Sequence, residues 1–137
     1  MTVTREQFVF ETRTWLGTPY QHQGRLKGIA CDCIGLVICT AQALGLTEFD
    51  IRDYGRRPDG RLRPVMESHL EKVPLLDAQA ADVILFVWQT VPLHVGVLTD
   101  RDHFIHAYLP NRAVVESRLD DKMRTQVVAA YHLPGVE

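Results

Sequence analysis

The sequence predicts an α+β domain, with helices in its first half and an antiparallel sheet in its second. Two observations carry this. Apolar residues recur at helical spacing as far as Leu44, and from Asp82 onward they crowd into short, β-branched runs. Turn residues separate those runs at intervals too short for crossover helices, so neighbouring strands must run antiparallel.

The elements follow in order. Thr4 and Gln7 form a capping box, and Phe8, Glu11, Trp15 and Leu16 continue at helical spacing. Gly17-Thr18-Pro19 ends that helix, since proline cannot continue it and restricts the residue before it. A second helix spans residues 33–44, closed by Gly45 just beyond its end. Ile34, Leu36, Val37, Ile38, Ala41 and Leu44 leave it almost no polar face, which predicts a buried central helix. Residues 50–63 are polar, punctuated by Gly and Pro, and read as loop. Pro64 suits the first turn of a third helix reaching residue 73. Strands are predicted over residues 83–88, 94–99, 103–108, 113–117 and 127–133.

The 137 residues fit one domain, residues 1–137, with 46% hydrophobic and 23% charged residues to build a core and a surface. A net charge of −2 argues against nucleic acid as a partner. The five arginines between Arg52 and Arg63 are interrupted by Asp53 and Asp59 and read as a solvated loop. No apolar run approaches the roughly 18 residues of a membrane span. The start, Met1-Thr-Val-Thr-Arg-Glu-Gln, has neither the basic region nor the apolar stretch of a signal peptide, so synthesis in the cytoplasm is expected. Three cysteines cannot all pair with one another, and free thiols are the expectation.

The chemistry concentrates at Ala30-Cys31-Asp32-Cys33-Ile34-Gly35-Leu36, where a loop enters the buried helix. A thiol in a helix's first turn feels the positive end of the dipole, which favours the nucleophilic thiolate. Asp32 fits the N-cap, and backbone N–H groups at the same terminus could hold an oxyanion. The plainer reading of Cys33 is a small buried side chain, and the local sequence alone does not choose. Cys31 is one residue short of a C-x-x-C redox pair, and Cys39 reads as core.

A cysteine nucleophile needs a base, and the base needs an orienting group. His94 opens one strand and His106 lies in the next. If Asp100-Arg101-Asp102 is a three-residue turn, Gly96 faces His106 and His94 faces Tyr108. Both histidines then share a face as diagonal neighbours, roughly 7–8 Å apart. A two-residue turn would put them on opposite faces. Shared, they make a triad with Cys33; singly, either would read as a surface strand residue. A zinc site from Cys31, Cys33, His103 and His106 is the weaker alternative, because the usual Cys-x₂₋₄-Cys spacing is absent. Trp88 reads as core, and His22 and His69 receive no role.

Gly17-Thr18-Pro19-Tyr20, Asp32-Cys33-Ile34-Gly35-Leu36-Val37, Ala81-Asp82-Val83, His94-Val95-Gly96-Val97 and Ile105-His106-Ala107 resemble, in order and approximate spacing, the NlpC-type cell-wall peptidases. Gln21-His22-Gln23 and Lys27-Gly28 resemble the phage-tail and gene-transfer-agent branch of that family. The resemblance implies a papain-like fold and hydrolysis of the D-γ-glutamyl–diamino acid bond in peptidoglycan stem peptides, with no cofactor. It implies Cys33 as nucleophile, His94 as base and His106 as the orienting third residue. It also places Tyr20 at the reaction centre and Asp32 at the substrate's amino end. Phage tail proteins are the further partner it implies, with action at the cell wall from a phage or phage-like particle. An amidase or acyltransferase on the same fold is one alternative, and a silent tail-assembly protein is another. Two departures stand out: Ile34 replaces the usual Ser after the nucleophile, and Ala81 the usual Gly. The first makes the pocket more apolar, and intact glycan-linked stems are then expected to be cut as well as free peptides or better.

Overall fold

The structure is a computed structural model and describes residues 2–57, 59–88 and 92–137. Helix α1 (Arg5–Arg13) starts at the predicted capping box, with Thr4 Oγ1 accepting from Gln7 N and Gln7 Oε1 accepting from Thr4 N. A small hairpin follows, β1 (Arg25–Leu26) with β2 (Ala30–Cys31), and leads directly into α2 (Cys33–Ala43). Gly45, at φ 73°, takes the left-handed conformation that ends α2. The predicted loop follows, apart from Pro58, which lies outside the described residues.

Helix α3 (Leu62–His69) is shorter than its expected reach to residue 73. Leu70 turns extended, and β3 (Glu71–Val73) pairs antiparallel with β8 (Val127–His132). Only Met66 of α3 is buried, so the edge ladder of β8 offers residues 71–73 more than another helical turn would. The remaining strands are β4 (Val83–Val87), β5 (Pro92–Leu98), β6 (His103–Tyr108) and β7 (Ala113–Arg118), in the antiparallel order β3-β8-β4-β5-β6-β7. Between β7 and β8 sits α4 (Asp121–Gln126), which the sequence reading missed although Asp120 caps it through Met123 N at 2.8 Å. Among the described residues no helix is long and apolar enough to cross a membrane.

Strand alternation divides the core. Val83, Leu85, Val95 and Val97 join the cluster holding Phe8 of α1 and Ala41 of α2, while Ile105 and Ala107 pack with Leu36 and Cys39 of α2. Ile84, Phe86, Leu98 and Phe104 face the other way, against Leu119 and Met123. The β5–β6 turn has the three-residue register, pairing Val97 with Ile105 and Leu98 with Phe104. His94 and His106 therefore share a face as expected, but it is the face of Phe86 and Phe104, not the one α2 covers.

What lets that face meet α2 is a parting of the strands. The β5–β6 ladder stops at Val97–Ile105, and the β4–β5 ladder shifts at Leu93, where Phe86 pairs with His94 but Val87 with Pro92. A shift of this kind bends the strand and re-aims its side chains. At the end of the shared ladder Gly96 admits close approach: a Cβ there would lie 2.7 Å from Phe104 Cδ2 and 3.4 Å from His106 Cβ. Gly96→Val is therefore expected to destabilise the fold by about 1–3 kcal/mol through overpacking. A urea midpoint equal to wild type would show instead that the strands yield freely here.

Candidate active site

Cys33 begins α2, capped by Asp32, whose Oδ1 accepts from Gly35 N at 2.7 Å. The sulfur is almost wholly buried, with the Leu93 carbonyl oxygen 4.0 Å away. The helix terminus led us to expect an easily ionised thiol, and the structure differs. Burial, followed by the Asp32 charge, pushes the thiol up to about 12, while backbone N–H groups of Val95, Ile34 and Cys33 itself pull the other way. Desolvation outweighs the dipole because little solvent reaches the sulfur.

His94 Nε2 lies 2.7 Å from His106 Nδ1, and His106 Nε2 lies 2.9 Å from Ser117 Oγ on β7. Burial, and then the neighbouring His106, holds His94 well below an ordinary imidazole, and burial takes His106 down to about 4. Both rings rest neutral at pH 7. Among the described residues no hydrogen bond occupies His94 Nδ1, and Trp15 Nε1 is the one buried side-chain polar atom without a partner. The His94 side chain lines the cleft. Trp88 stacks on the His94 ring at 4.4 Å between centroids, and Tyr108 stacks on His106 at 4.6 Å. These contacts fix both ring planes.

Cys33, His94, Tyr20 and Asp32 line one cavity of about 730 Å³, whose lining also includes the apolar side chains of Ile34, Val37, Ile38 and Ala41 of α2 and Val65 and Met66 of α3. The Tyr20 phenol is raised to about 12 by burial, then by Cys33 and Asp32, and so remains an O–H donor beside the sulfur. His106 stands behind His94. His103, by contrast, is exposed and bonded to Asp100, away from His106, so the alternative zinc set is not assembled. The three thiols are free, and Cys31 and Cys39 are buried.

Sequence reasoning missed four residues here. Ser117 looked like the end of an ordinary strand, although its register opposite Phe104 puts it beside His106. Trp88 does pack against the core, yet it also covers the imidazole. Arg25 and Tyr54 both bond Asp32 from segments with no local signal.

A thiol at the head of a buried helix, across a cleft from paired imidazoles on an antiparallel sheet, defines a papain-like fold. A family model described as the NlpC/P60 family matches residues 17–132. The chain belongs to that family. It superposes on an NlpC/P60 family protein from Bacillus cereus ATCC 10987 with a TM-score of 0.75 and 22% identity, over 97% of this chain and 41% of that one. The NlpC/p60 domain of the peptidoglycan hydrolase SagA gives a TM-score of 0.71 and 22% identity, over 96% of this chain and 100% of that one. The peptidoglycan hydrolase RipB from Mycobacterium tuberculosis gives 0.61 and 18%, over 93% and 63%. No curated protein sequence matches the chain.

Proposed function

We propose that the chain is a cysteine peptidase that hydrolyses the D-γ-glutamyl–diamino acid bond of peptidoglycan stem peptides through Cys33, His94 and His106. The observation that carries this is the His94–His106 bond of 2.7 Å beside a cavity that Cys33 also lines. Family membership and the likeness in fold to two peptidoglycan hydrolases support the substrate class.

Two proton arrangements satisfy the chain from His94 to Ser117. If Ser117 donates to His106 Nε2, then His106 Nδ1–H donates to His94 Nε2, and His94 Nδ1 carries a proton it cannot exchange for another. If His106 Nε2–H donates to Ser117 Oγ, then His94 Nε2–H donates to His106 Nδ1, and His94 Nδ1 is left to accept. Only the second arrangement makes a base. In the mechanism, His94 Nδ1 takes the thiol proton as Cys33 Sγ attacks the amide carbonyl. It then returns that proton to the leaving amine, giving a thioester on Cys33. Water, deprotonated by His94, hydrolyses the thioester. Tyr20 and the N–H of Cys33, both on the cavity wall, are the donors we assign to the developing oxyanion.

Action at the cell wall, carried by a phage or phage-like particle, is the setting we propose. Its support is the resemblance at Gln21-His22-Gln23 and Lys27-Gly28. The bond is tested by digesting purified peptidoglycan with wild type and with Cys33→Ala and reading the products by mass spectrometry. A new amino terminus on the diamino acid, in the wild-type digest only, is expected. Release of whole stems from the lactyl group would make the enzyme an amidase, and identical digests would make it a silent relative.

A further inference from the structure

A carboxylate beside a nucleophile is the natural partner for a substrate ammonium, but this one is already full. Asp32 Oδ1 accepts from Gly35 N at 2.7 Å and from Arg25 Nη1 at 3.1 Å. Asp32 Oδ2 accepts from Gln23 N at 2.7 Å and from the Tyr54 hydroxyl at 2.5 Å. A carboxylate offers about four lone-pair sites, and all four are taken. The Arg25–Asp32 pair is sealed, its side chains 6% and 3% exposed, so the positive partner offsets the carboxylate with little screening. Arg25 is itself fixed by Asp50 Oδ1 at 3.0 Å, the Ile51 carbonyl at 2.7 Å and the Tyr54 hydroxyl at 2.8 Å. Gly35 permits this packing, since a Cβ there would lie 2.4 Å from the Gly24 carbonyl oxygen and 2.7 Å from Arg25 Nη1.

The charge left open in the cleft has the opposite sign. Of the other charged residues lining the same cavity, Asp53 and Asp59 both lie against Arg61, whereas Arg56 and Arg57 make no salt bridge among the described residues, and Arg56 acts on the phenol of Tyr20. An incoming ammonium would therefore find no lone pair at Asp32 and would face guanidinium groups. A neutral amide meets neither penalty.

Resting on the hydrolase reading above, we propose that Asp32 is an internal clamp joining the β1–β2 hairpin, the head of α2 and the loop at residues 50–54, and that the cleft takes stem peptides whose first amine is acylated in preference to free-amine peptides. Intact, glycan-linked wall is then the substrate class.

The test pairs a stem tripeptide with a free amine against the same peptide N-acetylated. Wild type is expected to show kcat/KM at least about tenfold higher on the acetylated peptide, the cost of an ion left without its hydrogen-bond partner. Equal rates, or a preference for the free amine, overturn the proposal. Arg25→Met should shift the ratio toward the free amine. Should that variant fail to fold, Tyr54→Phe, which frees one lone pair of Oδ2, is expected to shift it in the same direction by a smaller factor. A readout without turnover separates this proposal from the hydrolase reading: the ¹³Cγ resonance of Asp32 in Cys33→Ala, titrated with the free-amine peptide. Movement of that resonance overturns the clamp. An unmoved resonance together with a wild type that cuts neither peptide leaves the clamp standing and sinks the hydrolase reading.

Discussion

Replacing His94 by alanine is expected to lower kcat/KM by about 10⁴-fold or more, the scale at which loss of a base disables a triad, whereas His106→Gln should lose only about 10- to 100-fold. The asymmetry comes from what each ring does. On the proposed mechanism His94 Nδ1 moves a proton in both half-reactions. In the arrangement that leaves His94 Nδ1 free to accept, His106 only accepts from His94 Nε2–H at 2.7 Å and donates to Ser117 at 2.9 Å. A glutamine can present a carbonyl oxygen to the first and an amide N–H to the second. Ser117→Ala should act in the same sense as His106→Gln but more weakly, through kcat and not KM, because Ser117 is a positioning residue outside the cavity. Single-turnover rates on a stem peptide measure the series. Ordinary activity in His94→Ala would mean that the base lies elsewhere.

Iodoacetamide at pH 6 is expected to label Cys33 no faster than an ordinary free thiol. With the thiol pushed up to about 12, the thiolate is scarce throughout the neutral range and grows tenfold for each pH unit. The sign for the base runs the other way. Because His94 is held well below 6.5, it stays neutral, and able to accept a proton, as the pH falls through 6.5. The acid limb of kcat/KM should therefore lie below pH 6.5. A neutral thiol and a neutral imidazole are thus the expected resting pair. Labelling at pH 6 that outpaces a free thiol, or an acid limb above 6.5, would falsify this by showing a resting thiolate–imidazolium pair.

Much of this was legible from the chain alone. The capping box at Thr4, the buried helix from Cys33 and the five main strands all announced themselves through local patterns. The three-residue turn after Thr99 even gave the pairing of Val97 with Ile105. What escaped was set by distant partners. Residues 71–73 read as helix because nothing local reveals that β8 offers them an edge. The thiol was misjudged because a helix terminus is visible in sequence and burial of the sulfur is not. Asp32 looked like a free acid beside a nucleophile, since Arg25 and Tyr54 reach it from segments that no periodicity connects.

The parting of β5 from β6 carries a last consequence. Among the described residues no backbone ladder joins these two strands beyond Val97–Ile105, and what joins them there is the bond between the two imidazoles, with Tyr108 and Trp88 stacked around it. On the proposed mechanism the proton relay is thus also a fastening across a seam in the sheet. Catalysis and cohesion could not then be edited separately at His106: an apolar side chain there would unfasten the seam while it silenced the proposed chemistry. A relative that lacked both imidazoles would still have to supply some other closure at that point, and the remnant of the site would persist in it as architecture.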